Sequence, residues 1–471
     1  MKMIRFLFLL NFFLLNAVLY VEAQVAMDTI TNIEPKKDTM RVLDYLAKGI
    51  WKARVRNYTM LTENANTNLS DYHANALGAA IYYKTATFKG FSFNFTGSFI
   101  YNTWSSDLGK PDSLTKQFNR YEIGLFDLDN PYQAFMGRID EFNLQYAWKK
   151  SKIVFGKQIL VTPMLNPQDG RMQPNSQEGV YIDFKEVKKL RIQAAWIYRF
   201  LTRSTENWLA IDESIGVYPS GVTPDGVRSR YLNNLRSSGL AFLGVEYKIA
   251  KGLNTQLWNY FVENIFSTSL LQTEVERAIT EKQTLLAGVQ GYYQIALNKG
   301  GNDDPKLSYI PENQKNWALS ARLGWKNANT SVTLNYTHIA DKGRFLFPRE
   351  WGRDAFYTFL PRERNEGFGG VNAVMAQFSK NFRKLNLKAE LSYGHYYLPD
   401  TKNAFLNKYG VPSYNQLNIN FIHQFSGFLK GLQGQFLYVY KGKIGDTYNN
   451  PNYEFNKVEM SLYNIIFNYN F

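Results

Sequence analysis

Tyr463, Ile465, Phe467, Tyr469 and Phe471 alternate with Asn464, Ile466, Asn468 and Asn470, and the sequence ends on Phe471. A period of two places the two sets on opposite faces of one extended strand. The same alternation recurs throughout. Phe91, Phe93, Phe95, Phe99 and Tyr101 alternate with Ser92, Asn94, Thr96, Ser98 and Ile100, and Leu385, Leu387, Ala389, Leu391 and Tyr393 with Asn386, Lys388, Glu390 and Ser392. Trp317, Leu319, Ala321, Leu323 and Trp325 lie opposite Ser320 and Arg322. Alternation and turn signals together predict eighteen strands. They cover 52–60, 75–87, 90–101, 137–148, 152–158, 178–185, 189–200, 237–249 and 252–264. They continue over 266–275, 283–295, 316–326, 330–339, 369–380, 384–395, 414–425, 432–441 and 457–471.

So many strands with one apolar face need something apolar to cover them, and the chain offers no second set to pack against. Lipid is the partner that fits. Mean hydropathy is only −0.35 and no long apolar run follows the N-terminus, while 32 Tyr and 34 Phe are enough for interfacial girdles. A transmembrane antiparallel β-barrel predicts this combination, because each strand shows apolar residues to lipid and polar ones to the lumen. Short turns, such as Phe88-Lys89 and Ala250-Lys251, largely alternate with long connections such as 102–136 and 340–368. An even strand number puts both termini on the periplasmic side, and a barrel of roughly 16–18 strands leaves an aqueous channel. A soluble exported β-protein is the competing reading.

The N-terminus agrees with export. Lys2 and Arg5 precede an apolar stretch from Phe6 to Tyr20, and Val21-Glu22-Ala23 offers a small-residue cleavage site, so 1–23 reads as a signal peptide. Residues 24–50 then form a periplasmic tail and 51–471 the barrel; the tail is too short for the plug of a TonB-dependent transporter. The chain has no cysteine, and His73, His338, His395 and His423 are far apart with no metal-ligand spacing. No nucleophile elbow, glycine-rich phosphate cradle or nucleic-acid module is present. The sequence predicts no cofactor, metal, nucleic-acid partner or catalytic activity. Two other readings stay open: an outer-membrane barrel enzyme such as a lipid hydrolase, and a closed barrel serving as scaffold or adhesin.

One stretch cannot be a regular element. Between the strand ending near Phe155-Gly156 and the one starting near Gly179, the prolines 163, 167 and 174 remove ladder donors, and Gly170 and Gly179 permit unusual backbone angles. A long irregular connector is more often functional than decorative. It is expected to fold into the barrel mouth and narrow the pore; an ordinary surface loop is the alternative. By alternation Arg191, Arg199, Arg322 and Lys388 point into the lumen, with Ile192, Ala194, Trp196, Tyr198 and Phe200 facing lipid. Lumenal bases between low-dielectric walls favour anions. The formal charge of +14 also leaves bases for the extracellular rim, where lipopolysaccharide phosphates would meet them. A second concentration of charge, interleaved with Trp351, Phe356, Tyr357 and Phe359, fills 340–368 and is expected to pack on the mouth or fold inward.

The run Thr162-Pro163-x-Leu165-x3-Asp169-x-Arg171-Met172-x-Pro174-x-Ser176-x2-Gly179 resembles the inward loop of OprD-type porins, the substrate-specific outer-membrane channels often called carboxylate channels. Arg54-x-Arg56-Asn57-Tyr58, Phe88-x-Gly90-Phe91-Ser92 and Gly427-x2-Lys430-Gly431-Leu432 also look like that family, so the similarity runs from about residue 49 to the C-terminus. It implies an eighteen-stranded monomeric barrel with a constricting third loop and a ladder of bases guiding small carboxylate-bearing solutes. It carries over Pro163, Asp169, Arg171, Pro174 and Gly179 as loop residues, but not the ladder. The terminal Phe471 resembles the signature that barrel-insertion machinery reads. Gln177 departs from the pattern, which has an aromatic there.

Overall fold

The structure, a computed structural model, describes residues 42–167 and 171–471. All eighteen expected strands form. They are β1 (Ile50–Asn64), β2 (Tyr72–Lys84), β3 (Phe91–Ser105), β4 (Phe135–Trp148), β5 (Ser151–Gln158), β6 (Ser176–Phe184) and β7 (Leu190–Leu201). After a two-residue extra strand, β8 (Leu209–Ala210), come β9 (Leu240–Ala250), β10 (Leu253–Val262), β11 (Phe266–Thr280), β12 (Gln283–Ala296) and β13 (Lys315–Asn327). The last are β14 (Thr330–Ile339), β15 (Val371–Phe382), β16 (Leu387–Tyr397), β17 (Tyr414–Gln424), β18 (Leu432–Lys443) and β19 (Met460–Asn470). Each pairs antiparallel with its chain neighbours, except that β8 merely straps onto β7, which pairs onward with β9. β19 returns to β1, from Arg54 opposite Asn470 to Asn64 opposite Met460, and the sheet closes. Closure leaves no edge, which a strand sheet in lipid requires.

The alternation does what it predicts. On β13, Trp317, Leu319 and Leu323 are exposed on the outside while Asn316 and Ser320 are buried within. A short helix, α1 (Val42–Ala47), lies in the expected tail, with the Tyr45 ring 4.9 Å from that of Phe88. The expected signal peptide lies outside the described residues.

Bulges interrupt simple alternation at Thr103 on β3, at Asp140 on β4 and on β7. On β7, Ile197 pairs with Gly179 but Arg199 pairs with Glu178, so Tyr198 is an extra residue and a bulge. A bulge reverses the faces beyond it. Phe200, expected toward lipid, is fully buried and stacks on Trp351 inside, with ring centroids 5.5 Å apart. Arg199, expected in the lumen, shares the outer face with Glu178 and its β5 partner Lys157. Gly179 makes the bulge possible, because a Cβ there would lie 2.1 Å from the Trp196 carbonyl oxygen.

Burial inside the barrel is graded. Lumenal positions near the long-loop end, such as Phe266, Thr268 and Leu270 on β11, are fully buried, whereas toward the short-turn end Glu274 is half-buried and Glu276 exposed. The long-loop half of the lumen is therefore packed with loops, and the other half is a polar vestibule.

Candidate functional site

Two loops fill the packed half. The first, 159–175, leaves β5 and drives Leu160, Met164 and Leu165 into a buried cluster with Trp258 and Tyr260. The Tyr260 hydroxyl donates to Thr162 Oγ1 at 2.9 Å and accepts from the Met164 amide at 3.3 Å. Gln177, where the family pattern has an aromatic, instead accepts the Leu160 amide at 2.9 Å through its side chain. Beyond the undescribed 168–170, which include Asp169, the loop is tied to the opposite wall. Arg56 of β1 donates to the Arg171 carbonyl and Arg138 of β4 to that of Pro174, while Gln173 reaches Ser98 of β3 at 2.8 Å. Arg171 itself is buried, with Nη1 donating to the Tyr121 carbonyl at 2.9 Å. It fastens this loop to the 106–134 connection and does not face water.

The second loop, 340–370, is the larger obstruction. It starts against β12, where Gln294 Nε2 donates to the Leu346 carbonyl at 2.5 Å, and crosses to the far wall. There Arg362 donates to Tyr58 of β1 at 2.6 Å and to Asn464 of β19 at 2.8 Å. Glu363 receives Arg120 and Lys441 at 3.0 Å each, with Arg349 at 3.6 Å. Burial alone would raise the Glu363 carboxyl, but these three cations outweigh it and hold it far below the usual carboxylate range. Burial dominates elsewhere: it pushes Glu122, hydrogen-bonded by Thr62, up to about 7, and Lys408 down to about 8.

The loops interlock at the centre. Asn166 accepts from the Arg353 amide and donates to the Arg353 carbonyl, both at 3.1 Å, and Asn175 donates to the Glu350 carbonyl at 3.1 Å. Gly352 sits at the crossing, where a Cβ would come within 2.2 Å of the Met164 carbonyl oxygen.

Against this junction, on the vestibule side, lies a cavity of about 240 Å³ lined by Arg322, Asn335, Arg353, Tyr357, Phe359 and Gln377, among others. Arg353 is exposed, its guanidinium 5.3 Å from the Phe359 ring, and among the described residues no carboxylate pairs with it. Three of the bases expected in the lumen face it, each beside a carboxylate. Arg322 lies 4.4 Å over the Tyr357 ring and pairs with Glu274 at 2.8 Å. Arg191 pairs with Asp183 at 2.8 Å and Glu246 at 3.3 Å, and Lys388 with Glu390 at 2.6 Å. All three face the lumen as compensated pairs, so they form a mixed-sign wall and not a bare basic ladder. Arg353 was visible in the sequence only as one charge in a crowded loop; the aromatic spacing around it was the available signal.

The family model for the outer membrane porins of the OprD family matches residues 137–401, more than half of the chain. The chain belongs to the OprD family. Solved structures of Pseudomonas aeruginosa OccK8 (OprE) and Acinetobacter baumannii OccAB3 share this fold, with TM-scores of 0.71 and 0.69 at 14% and 13% identity. The matches span 91% and 90% of this chain and 99% of each of theirs. P. aeruginosa OpdK, solved with vanillate, matches with a TM-score of 0.69 at 13% identity, over 91% of this chain and 99% of its own. No curated protein matches. This OprD-family porin is thus an outer-membrane β-barrel of a Gram-negative bacterium, with short turns toward the periplasm and long loops outside. Porins are channels, not enzymes, which decides against the hydrolase reading.

Proposed function

We propose that this porin passes small carboxylate-bearing solutes, anionic or zwitterionic, by passive diffusion past the two interlocked inward loops and through the Arg353 cavity. The observation that carries the reading is Arg353 itself: an exposed guanidinium with no carboxylate partner among the described residues, at the floor of the constriction. A dehydrating carboxylate finds there a planar, bidentate donor beside the Asn335 and Gln377 amides. The paired Arg322–Glu274 on the same wall offers both signs, which suits a zwitterion as well as an anion. That OpdK was solved with vanillate, an aromatic carboxylate, supports the class without fixing the solute.

Reconstitution in planar bilayers tests it. Discrete openings with a reversal potential favouring anions, and partial block by carboxylates, are expected; cation preference would refute the reading, and a silent but folded barrel would favour the closed scaffold. Two further contacts belong to the same proposal. Arg199 and Lys157, on the outer face at the extracellular end with Trp208 4.7 Å from the Lys157 ammonium, are suited to lipopolysaccharide phosphates. Phe471, 37% exposed after a strand that is otherwise fully paired, is available as the signal for the insertion machinery.

A further inference from the structure

The periplasmic rim carries a feature that solute passage does not use. Four neighbouring turns, β2–β3, β4–β5, β6–β7 and β9–β10, bear Lys89, Lys149, Lys150, Lys188, Lys189 and Lys251, all exposed. The lone carboxylate on these turns, Glu186, already accepts the Ser151 hydroxyl at 2.6 Å and the Lys150 amide at 3.1 Å.

The backbone supplies a second, independent observation. Lys89, Lys149 and Lys189 hold left-handed conformations, with φ of 48°, 46° and 67°. Residues other than glycine, asparagine and aspartate seldom sit there, because Cβ crowds the following carbonyl. The other periplasmic turns that enter this region use Gly252, Asn386, Gly427 and Gly431. In three adjacent turns the chain thus accepts strain at a position open to glycine or asparagine and gains an ammonium group there. A persistent strained residue points to a function for its side chain.

Depth identifies the partner. Immediately above these turns the outer face carries Phe91, Tyr146, Trp148 and Tyr247; the Phe91 and Tyr146 rings are 4.7 Å apart, and Tyr146 stacks on Trp148 at 6.0 Å. Such aromatics mark the interfacial level of a bilayer. Lysines just below them lie at the phosphate level of the inner leaflet, with stems long enough to reach it. We infer that this arc binds anionic phospholipid headgroups of the periplasmic leaflet, and so carries a shell of net-negative lipid on one side of the barrel. The chemistry is that of juxtamembrane lysine clusters in general: phosphodiester oxygens against ammonium donors, screened by salt.

The test uses the full mature chain exchanged into mixed micelles of equal phosphatidylglycerol and phosphatidylcholine, with retained lipid counted by native mass spectrometry. Phosphatidylglycerol should be held in excess, and the excess should vanish in 1 M salt. The variant K89N/K149N/K189N replaces each strained lysine with the residue that best tolerates its backbone, so its Tm in neutral detergent should hold or rise. Its excess should fall at least about fivefold. K150Q/K188Q/K251Q, at positions of ordinary backbone, checks the same charge should the first variant fold poorly. An unchanged excess in both would overturn the inference. So would absence of any excess together with lysine-dependent sedimentation on purified peptidoglycan, which would assign the arc to that anionic polymer.

Discussion

Arg171 and Arg353 are both arginines of inward loops, yet their surroundings give them opposite work. Arg171 is buried against the Tyr121 carbonyl and the Arg56 guanidinium reaches its own backbone, so truncation should loosen the loop. Arg353 meets water over Phe359. An exposed charge interaction is worth up to about 1 kcal/mol, so Arg353→Ala should cut the anion-to-cation permeability ratio roughly two- to fivefold. Arg171→Ala should leave the ratio near its original value. Reversal potentials of the two variants under one salt gradient check this, and equal losses would sink the assignment to Arg353. Lys408 gives a pH prediction. Burial lowers it to about 8 although its ammonium lies 4.9 Å from the rings of both Tyr231 and Tyr309. An unfolded lysine titrates near 10.4, so between about 8 and 10.4 the unfolded chain binds more protons and stability rises with pH. The rise is on the order of 3 kcal/mol at most, and below pH 8 the penalty is constant. Protease resistance of the extracellular loops should increase from pH 7.5 to 10 in the native protein and stay flat in Lys408→Met.

At the scale of elements, strands and loops were not equally legible. Strand positions followed from local alternation, which lipid on one side and water on the other enforce residue by residue. The Tyr198 bulge escaped because it is a property of two paired strands: only the register against Glu178 and Gly179 reveals the phase change that sends Arg199 outward and Phe200 inward. The course of 340–370 was less accessible still. Its charges and aromatics gave away that it is structured, but the ties that pull it across the lumen join residues far apart in the chain, as when Arg120 meets Glu363, 243 positions on. Gly352 tests the crossing. In Gly352→Ala the new methyl would press on the Met164 carbonyl, so the loops must part at a cost of about 1–3 kcal/mol. Faster proteolytic nicking within 340–370 is expected, with the thermal transition of the barrel itself retained. Unchanged nicking would mean that the two loops do not lock each other.

For the molecule as a whole, the wall and its contents answer to different rules. The wall is a closed ladder whose stability is spread over eighteen strand pairings, while in the proposed function the polar and ionic network inside sets what passes. Only the first is written in short-range pattern, which explains why the family could be read from the sequence and the path could not. The C-terminus offers a way to separate folding from delivery. Asn470 and Phe471 close the seam through backbone bonds, the Phe471 amide donating to the Ala53 carbonyl at 2.9 Å, and the ring itself only lies edge-on to Tyr469 at 4.6 Å. A partly exposed ring with one such contact contributes little to the finished barrel. Phe471→Ser should therefore refold in detergent with a Tm within a few degrees of the parent, since about 0.5–1.5 kcal/mol of aromatic contact is at stake. In cells the same variant should reach the outer membrane in much smaller amounts if the ring is the insertion signal. Equal surface levels would show that the terminal phenylalanine is an interfacial aromatic like its neighbours and that the insertion machinery reads something else.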